Sequence, residues 1–388
     1  MDKTEKRTIT VLGSTGSVGT QSMDVIEKCG LFEVKAITAG NNAALAEEQI
    51  RRFSPDFCAM LDEEAANDLR VRVKDTQVKV LSGADGIEEA IRSAASETVI
   101  NAISGLAGLK PTLAAVDSCR VLATANKESV VAAGHIVKRL ADEKGVRIMP
   151  VDSEHSAIYQ CLEGNSKDQV RRIILTCSGG AFLGYSKRAL SKVTVRQALK
   201  HPSWNMGKKI TVDCATLMNK GLELLEAVFY FGVPEDRIDV LIHPESIIHS
   251  MVEYNDSAVI AQLSEPDMRL CIQYAITYPE RMPSPVVPLD LAKRGRLTFR
   301  EVDNDAFPAI EIARRASRLG GLYPAVLTAA DEAAVDLFIN GKIRFTDIIR
   351  ITEAVAFCVD KNDDPTVEDI ISADEQAREQ VLMFANEK

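Results

Sequence analysis

The stretch Ile9-Thr10-Val11-Leu12-Gly13-Ser14-Thr15-Gly16-Ser17-Val18-Gly19 decides the fold. A short apolar run suited to a strand passes straight into three glycines at intervals of three, and Val18–Cys29 then has the make-up of a helix. Small residues let a backbone approach a pyrophosphate closely, and a helix N-terminus favours its negative charge. The spacing is G-x-x-G-x-x-G, not the commoner G-x-G-x-x-G, and tight turns produce similar strings. Position tips the balance toward dinucleotide binding, because this is the first strand–helix turn of an alternating segment.

Outward from that turn the alternation continues. Ile9–Leu12, Val34–Thr38, Phe57–Met60, Val78–Leu81, Thr98–Ile103, Val121–Thr124 and Val146–Val151 are rich in Val and Ile and read as strands. Amphipathic stretches lie between them, such as Ala43–Arg52, Ile87–Ala95, Pro111–Asp117 and Val130–Lys144. The pattern predicts an α/β fold with a Rossmann-like parallel sheet domain over residues 1–150. An NAD-binding unit usually ends its second strand with Asp or Glu to hold the ribose 2′-hydroxyl. Here the strand ends in Ala39-Gly40-Asn41-Asn42. The absent acid favours NADP, although no arginine stands there to hold a 2′-phosphate.

After Pro150 the pattern changes. Residues 151–280 mix strands and helices as in an α+β domain, with a hairpin from His249–Tyr254 and Ser257–Leu263 turning at Asn255-Asp256. Pro279, Pro283, Pro285 and Pro288 then bar helices and inner strands, so 281–305 reads as a linker. From 306 to 388, the stretches Glu311–Arg318, Pro324–Phe338, Thr346–Cys358 and Thr366–Phe384 predict a C-terminal helical bundle.

The chain of 388 residues carries 46 Lys and Arg against 56 Asp and Glu, a formal charge of −10. That balance excludes the basic surplus of a nucleic-acid binder. With 46% hydrophobic residues the chain has ample material for a core, which excludes a disordered or disulfide-only scaffold. No apolar run reaches the roughly 20 residues of a membrane span, and Met1–Arg7 shows no signal or transit pattern. Eight scattered cysteines without a C-x-x-C pair predict reduced thiols in a cytoplasmic protein.

Two acidic regions suggest a metal. Asp152-Ser153-Glu154 closes the seventh strand; in an extended chain residues two apart point the same way, so the carboxylates converge and repel unless a cation joins them. Oxygen donors suit Mg²⁺ or Mn²⁺. The bland alternative, a cap on a helix over Glu154–Leu162, prevails for this region alone. A helix over Thr216–Phe231 sets Asn219, Lys220 and Glu223 on one side of an otherwise apolar stretch. A solvated polar face is its ordinary explanation, but Glu223 is a third carboxylate for the pair.

Ser178-Gly179-Gly180 follows the strand Arg171–Cys177 and is a small-residue turn suited to an anion. Lys200–Gly207 combines His201, Pro202, Trp204 and Gly207 outside any periodic pattern, as in a loop that closes over a ligand; an ordinary surface loop fits the composition equally. His155, His243 and His249 read as core histidines.

These motifs occur together in a known order: G-S-T-G-S-V-G, A-N-K-E-S-V-V-A-A-G (Ala125–Gly134), D-S-E-H (Asp152–His155), S-G-G, H-P-S-W-N-M-G, M-N-K-G-L-E (Met218–Glu223), H-P-E-S-I-I-H-S-M-V-E-Y (His243–Tyr254) and P-D-M-R-L (Pro266–Leu270). The set, which runs through nearly the whole chain, closely resembles the 1-deoxy-D-xylulose 5-phosphate reductoisomerase family. The resemblance implies NADPH- and divalent-metal-dependent conversion of 1-deoxy-D-xylulose 5-phosphate to 2-C-methyl-D-erythritol 4-phosphate in non-mevalonate isoprenoid synthesis, carried out by a homodimer. It implies Asp152, Glu154 and Glu223 as metal ligands. It assigns the cofactor to Thr15, Gly16, Ser17, Val18, Gly40, Asn41, Asn42, Asn126, Glu128 and Gly207. Substrate contacts are Lys127, Ser153, Glu154, Ser178, His201, Cys214, Asn219, Lys220 and Glu223, with Lys127, Glu154 and His201 catalytic and Trp204 on a lid beside Met206.

Some positions depart from the family pattern. Cys214 in Val212–Thr216 stands where a serine usually helps hold the phosphate, and a thiol is a weaker, bulkier donor. Ser118-Cys119-Arg120 replaces a usual Ala-Gly-Lys turn, and Cys271 a usual proline; both are expected away from the site. Two rival readings are a simple NADP-dependent sugar-phosphate dehydrogenase, which needs no three-carboxylate cation site, and a silent NADP-binding paralogue, which needs no intact Lys127, Asp152, Glu154, Lys220 and Glu223.

Overall fold

In the computed structural model, residues 6–201, 204 and 206–386 are described; Pro202, Ser203 and Asn205 of the expected lid lie outside them. The chain forms two compact units. The first comprises Met1–Ser129, His135–Ser156 and Asp267–Val287; the second comprises Val130–Gly134, Ala157–Pro266 and Pro288–Lys388. Both units are discontinuous in sequence.

The first unit is built on a seven-stranded sheet: β1 (Arg7–Leu12), β2 (Phe32–Ala39), β3 (Phe57–Met60), β4 (Lys79–Ser82), β5 (Thr98–Asn101), β6 (Val121–Thr124) and β7 (Arg147–Pro150). Every expected strand is present. The order is β4-β3-β2-β1-β5-β6-β7, and all pairs are parallel. Buried Ile9, Val11, Leu12, Val34, Ile37 and Ile100 show why these strands are continuous apolar runs: both faces of a parallel sheet are covered. The chain reverses direction across the sheet between β1 and β5, the switch point where open α/β sheets open a crevice at the strands' C-terminal ends. The helix Met268–Thr277 joins this unit late in the chain, packing against the helix Ser17–Cys29, β6 and β7.

The second unit holds a mixed sheet of β8 (Val170–Cys177), β9 (Ile238–Ile242), β10 (Ile248–Tyr254) and β11 (Val259–Leu263), ordered β11-β10-β8-β9. β10 and β11 are the expected antiparallel hairpin, and β8 and β9 are parallel. The helices Ala309–Leu319, Tyr323–Ile339, Phe345–Ala356 and Val367–Asn386 follow. They do not form a separate layer, because Ala309, Ile312, Ala313 and Leu327 share one apolar cluster with Met218, Leu222 and Leu225. Gly221 makes that crossing close, since a Cβ there would lie 2.9 Å from that of Ala313. The proline-rich segment carries a short helix, Leu291–Arg294, and is tied to β9 by reciprocal backbone bonds of 2.9 Å between Arg300 and Ile242.

Candidate active site

The glycine turn stands at the C-terminal end of β1, at the switch point. Gly13 has φ +72°, and a Cβ there would meet the carbonyl of Ala102, just beyond β5, at 2.7 Å. A Cβ on Gly19 would lie 2.1 Å from the Gly13 carbonyl oxygen, so the helix starts as close to the turn as glycine allows. The end of β2 holds the turn: Thr38 accepts the Gly13 N–H through Oγ1 (3.0 Å) and the Ser14 N–H through its carbonyl (2.8 Å). Ser14 is pinned in turn by donating to Gln49 Oε1 at 2.6 Å. Gly16 occupies the N-cap of Ser17–Cys29 and no side chain caps that helix, so its first-turn amides suit an anion. Thr15, Gly16, Ser17 and Val18 all lie in this turn. Gly40, Asn41 and Asn42 follow β2, where Asn42 accepts the Leu45 N–H at 3.1 Å and starts the next helix.

Asn126 and Glu128 hold the loop after β5. Asn126 donates to the carbonyls of Ile103 (2.6 Å) and Gly105 (2.9 Å) and accepts the Ser129 N–H (3.0 Å), capping the helix Lys127–Lys144. Glu128 accepts the Gly105 N–H at 3.3 Å. Between them, Lys127 is buried with its Nζ 2.9 Å from Asp152 Oδ2.

Asp152-Ser153-Glu154 corrects one sequence expectation. The strand ends at Pro150, and a helix begins at Ser153, running to Leu162. Strand alternation therefore does not aim the carboxylates. Asp152 stands just before the first helical turn and accepts the Ser156 N–H on its carbonyl (2.9 Å), while Ser153 Oγ donates to Glu154 Oε2 at 2.6 Å. Cys271 is a second correction. Expected away from the site, its thiol instead lies within reach of Ser156 and of the charges of Glu154 and Asp152. Burial pushes it up to about 12, with the charges of Glu154 and Asp152 adding to the effect.

In the second unit, Thr216–Phe231 is not one helix. Lys208–Thr216 and Met218–Phe231 meet at Leu217, which takes a left-handed φ of +64°. Asn219, Lys220 and Glu223 then occupy the first turns of the second helix. Asn219 donates to Glu223 Oε1 at 2.6 Å, and Lys220 Nζ is 2.5 Å from Glu223 Oε2. At 2% exposure for both Lys220 and Glu223 this is no solvated face; a buried carboxylate is held here by an ammonium and an amide.

The turn after β8 has Gly179 at φ +86° and Gly180 at φ +66°, where a Cβ would strike the Cys214 carbonyl oxygen at 2.2 Å. Ser178 Oγ is 3.0 Å from His201 Nε2 and accepts the Gly180 N–H at 3.2 Å. His201 Nδ1 accepts the Trp204 N–H at 2.9 Å. Burial lowers the His201 pKa, which favours a neutral ring with its proton on Nε2, donating to Ser178. Ser178 Oγ thus accepts from two N–H groups, which leaves its own hydroxyl proton free to donate elsewhere. Gly207 is the N-cap residue of Lys208–Thr216, and its carbonyl accepts the Thr211 hydroxyl at 2.7 Å. Cys214 lies on that helix, half-buried.

The core reading of the other histidines fits their burial: His155, His243 and His249 are all buried. His243 does more than fill space. It accepts the N–H groups of Ile247 (3.1 Å) and Ile248 (3.2 Å) on Nε2, and its Nδ1 lies 2.9 Å from the Thr298 carbonyl. Nothing in its local sequence signals that role. Lys209 and Asp213, four apart on one helix, were also passed over, although that spacing is the usual mark of an ion pair.

A switch-point glycine turn over a parallel sheet, together with buried carboxylates held by lysines, marks the chain as an α/β oxidoreductase. Family models described as 1-deoxy-D-xylulose 5-phosphate reductoisomerase, its C-terminal domain, and DXP reductoisomerase C-terminal domain match residues 9–134, 148–231 and 263–380. The reductoisomerase of Rippkaea orientalis is 46% identical over 384 residues, covering 98% of this chain and 96% of that protein. That of Caldanaerobacter subterraneus is 49% identical over 374 residues, covering 96% and 97%. Among solved structures, the enzyme from Zymomonas mobilis in complex with NADPH superposes with a TM-score of 0.94 at 39% identity, covering 99% of this chain and all of that one. A DOX-P reductoisomerase in complex with NADPH, fosmidomycin and magnesium gives 0.92 at 36% identity, covering 98% and 100%. The chain belongs to the 1-deoxy-D-xylulose 5-phosphate reductoisomerase family.

Proposed function

We propose that the chain catalyses the NADPH- and divalent-metal-dependent rearrangement and reduction of 1-deoxy-D-xylulose 5-phosphate to 2-C-methyl-D-erythritol 4-phosphate. Family membership over nearly the full length is the observation that carries this reading. The residues fit both groups. The glycines at 13 and 19 let the uncapped N-terminus of the helix Ser17–Cys29 pack against the end of β1 more closely than any Cβ would allow, as a pyrophosphate-binding turn requires, and the proposed metal ligands Asp152, Glu154 and Glu223 offer only oxygen, as hard divalent cations require.

When bound, the cation supplies Lewis acidity toward the oxygens of the hydroxyketone substrate and NADPH supplies the hydride. The chain's own residues do the rest. Thr15 to Val18, Gly40 to Asn42, Asn126, Glu128 and Gly207 hold and frame the cofactor. Lys127, paired with Asp152, and Glu154, bonded to Ser153, handle protons at the substrate oxygens. Ser178, His201, Asn219 and Lys220 receive the phosphate, with the Ser178 hydroxyl directed by His201. Cys214 stands beside the turn as a weaker donor than a hydroxyl. The loop bearing Trp204 excludes water when it closes.

The chain works as a homodimer in the cytoplasm. Eight free thiols fit a reducing compartment, and β11 is an outer strand exposing Val259 and Ile260, an edge that a second copy would cover. The central test is NADPH oxidation with 1-deoxy-D-xylulose 5-phosphate, with and without Mg²⁺ or Mn²⁺. Metal-dependent turnover yielding the rearranged product is expected. Reduction without metal would favour the simple dehydrogenase, and no turnover the silent paralogue.

A further inference from the structure

Three ionisable side chains meet in the second unit outside every residue assigned above. Lys209 and Asp213 share the helix Lys208–Thr216, with Lys209 Nζ 2.7 Å from Asp213 Oδ2. The same ammonium is 3.6 Å from Oδ2 of Asp331. Asp331 comes from the helix Tyr323–Ile339 and is 0% exposed. No N–H or hydroxyl group donates to either of its oxygens among the described residues.

One ammonium thus faces two carboxyl groups in a site closed to water. Adjacent buried carboxylates cannot both ionise cheaply, and a shared proton resolves the conflict. Burial first, then the charge of Asp213, pushes Asp331 well above the usual carboxylate range; Lys209 opposes this and Glu332 adds to it. Glu332 is itself paired with Arg378 of Val367–Asn386 at 2.5 Å, and Asp347 of Phe345–Ala356 with Arg344 and Arg350. The proton therefore belongs to the Asp331–Asp213 pair.

The place of this cluster gives it a use. Lys208–Thr216 begins directly after the loop that carries His201 and Trp204, and its Cys214 carbonyl is the wall against which Gly180 is pressed. We propose that Asp331 is a positioning residue that acts through Lys209 and Asp213 to fix the helix Lys208–Thr216, and with it the Cys214 wall of the Ser178-Gly179-Gly180 turn. This rests on the assignment of that turn to the substrate phosphate. As a carboxylic acid, Asp331 would offer its proton to the Asp213 carboxylate, and the cluster would then carry one positive and one negative charge. Asparagine reproduces the donor in the same shape, whereas leucine keeps only the bulk.

The test compares the full-length wild type with Asp331→Asn and Asp331→Leu. Asp331→Leu is expected to raise the KM for the sugar phosphate on the order of tenfold, with kcat and the KM for NADPH changed by about twofold or less; Asp331→Asn restores the wild-type value. Emission from Trp204, the only tryptophan, reports the neighbouring loop without turnover. An alkaline transition is expected in the wild type and not in Asp331→Asn. An unmoved KM in a folded Asp331→Leu, an Asp331→Asn as impaired as Asp331→Leu, or identical emission titrations would each overturn the proposal. If Asp331→Leu fails to fold, the Asp331→Asn titration still decides. A wild type that does not turn over the sugar phosphate would refute the functional reading instead, and the emission comparison would still judge Asp331.

Discussion

Lys127 Nζ stands 2.9 Å from Asp152 Oδ2 with both side chains largely buried, an ion pair mostly shielded from solvent. Replacing Lys127 by Met removes a proton-handling group and leaves Asp152 a carboxylate without its ammonium. We expect kcat to fall by about 10²-fold or more, within the range of lost acid–base catalysis. A Lys127→Met enzyme with near-normal kcat at saturating metal would refute the assignment.

Gly19→Ala tests the cofactor turn. Its Cβ would sit 2.1 Å from a backbone oxygen, so the turn must shift. The expected cost is on the order of 1–3 kcal/mol of stability, as for other overpacked sites, with loss of measurable NADPH binding. Thermal unfolding and a fluorescence titration with NADPH read the two effects separately. Tight NADPH binding by the variant would rule out the close-approach argument.

The His201–Ser178 bond gives a pH prediction. Burial depresses the His201 pKa, so the neutral ring and its contribution are present above its ordinary value of 6.5 and are lost as pH falls through the depressed value. Protonation would place a hydrogen on Nδ1, where the Trp204 N–H now donates. The substrate KM is expected to rise on the acid side, and Ser178→Ala to raise it at every pH. A KM independent of pH below neutrality would contradict this.

Cys214→Ser is expected to lower the substrate KM or leave it unchanged, because a hydroxyl is the better donor to a phosphate. A large rise, measured at saturating NADPH, would show that the thiol has a role of its own.

Burial also divides the cysteines by reactivity. It pushes Cys58, Cys119 and Cys271 to about 12 and Cys161 to about 11. These four are expected to stay unlabelled by a maleimide at neutral pH in the folded protein, while exposed Cys358 reacts first. Peptide mass mapping after labelling checks the order; early modification of Cys271 would mean that the turn at Ser156 opens.

The seven parallel strands were readable because most are short apolar runs, and those near the middle of the sheet, such as β1 and β5, are buried on both faces; the glycine turn was readable because its spacing reflects backbone contacts. Glu223 was grouped with Asn219 and Lys220 from helical spacing alone, and their bonds follow that spacing. Long-range packing left no such mark. Leu217 breaks a helix in a conformation that leucine seldom adopts, so nothing local announced it. Cys271 lies more than a hundred residues from the Ser156 it touches. Asp152-Ser153-Glu154 looked like the end of a strand because the helix that takes it over begins inside the motif.

The late return of Asp267–Val287 to the first unit bears on how the protein is made. Arg269 from this segment reaches back to Asp24 at 3.2 Å, linking residues 245 apart in the chain. During synthesis the seven-stranded sheet emerges first, yet its covering helix Met268–Thr277 leaves the ribosome only after all four strands of the second sheet. A nascent chain must therefore keep one face of a finished sheet waiting while the other unit is still being translated, so chaperone dependence would concentrate in that interval.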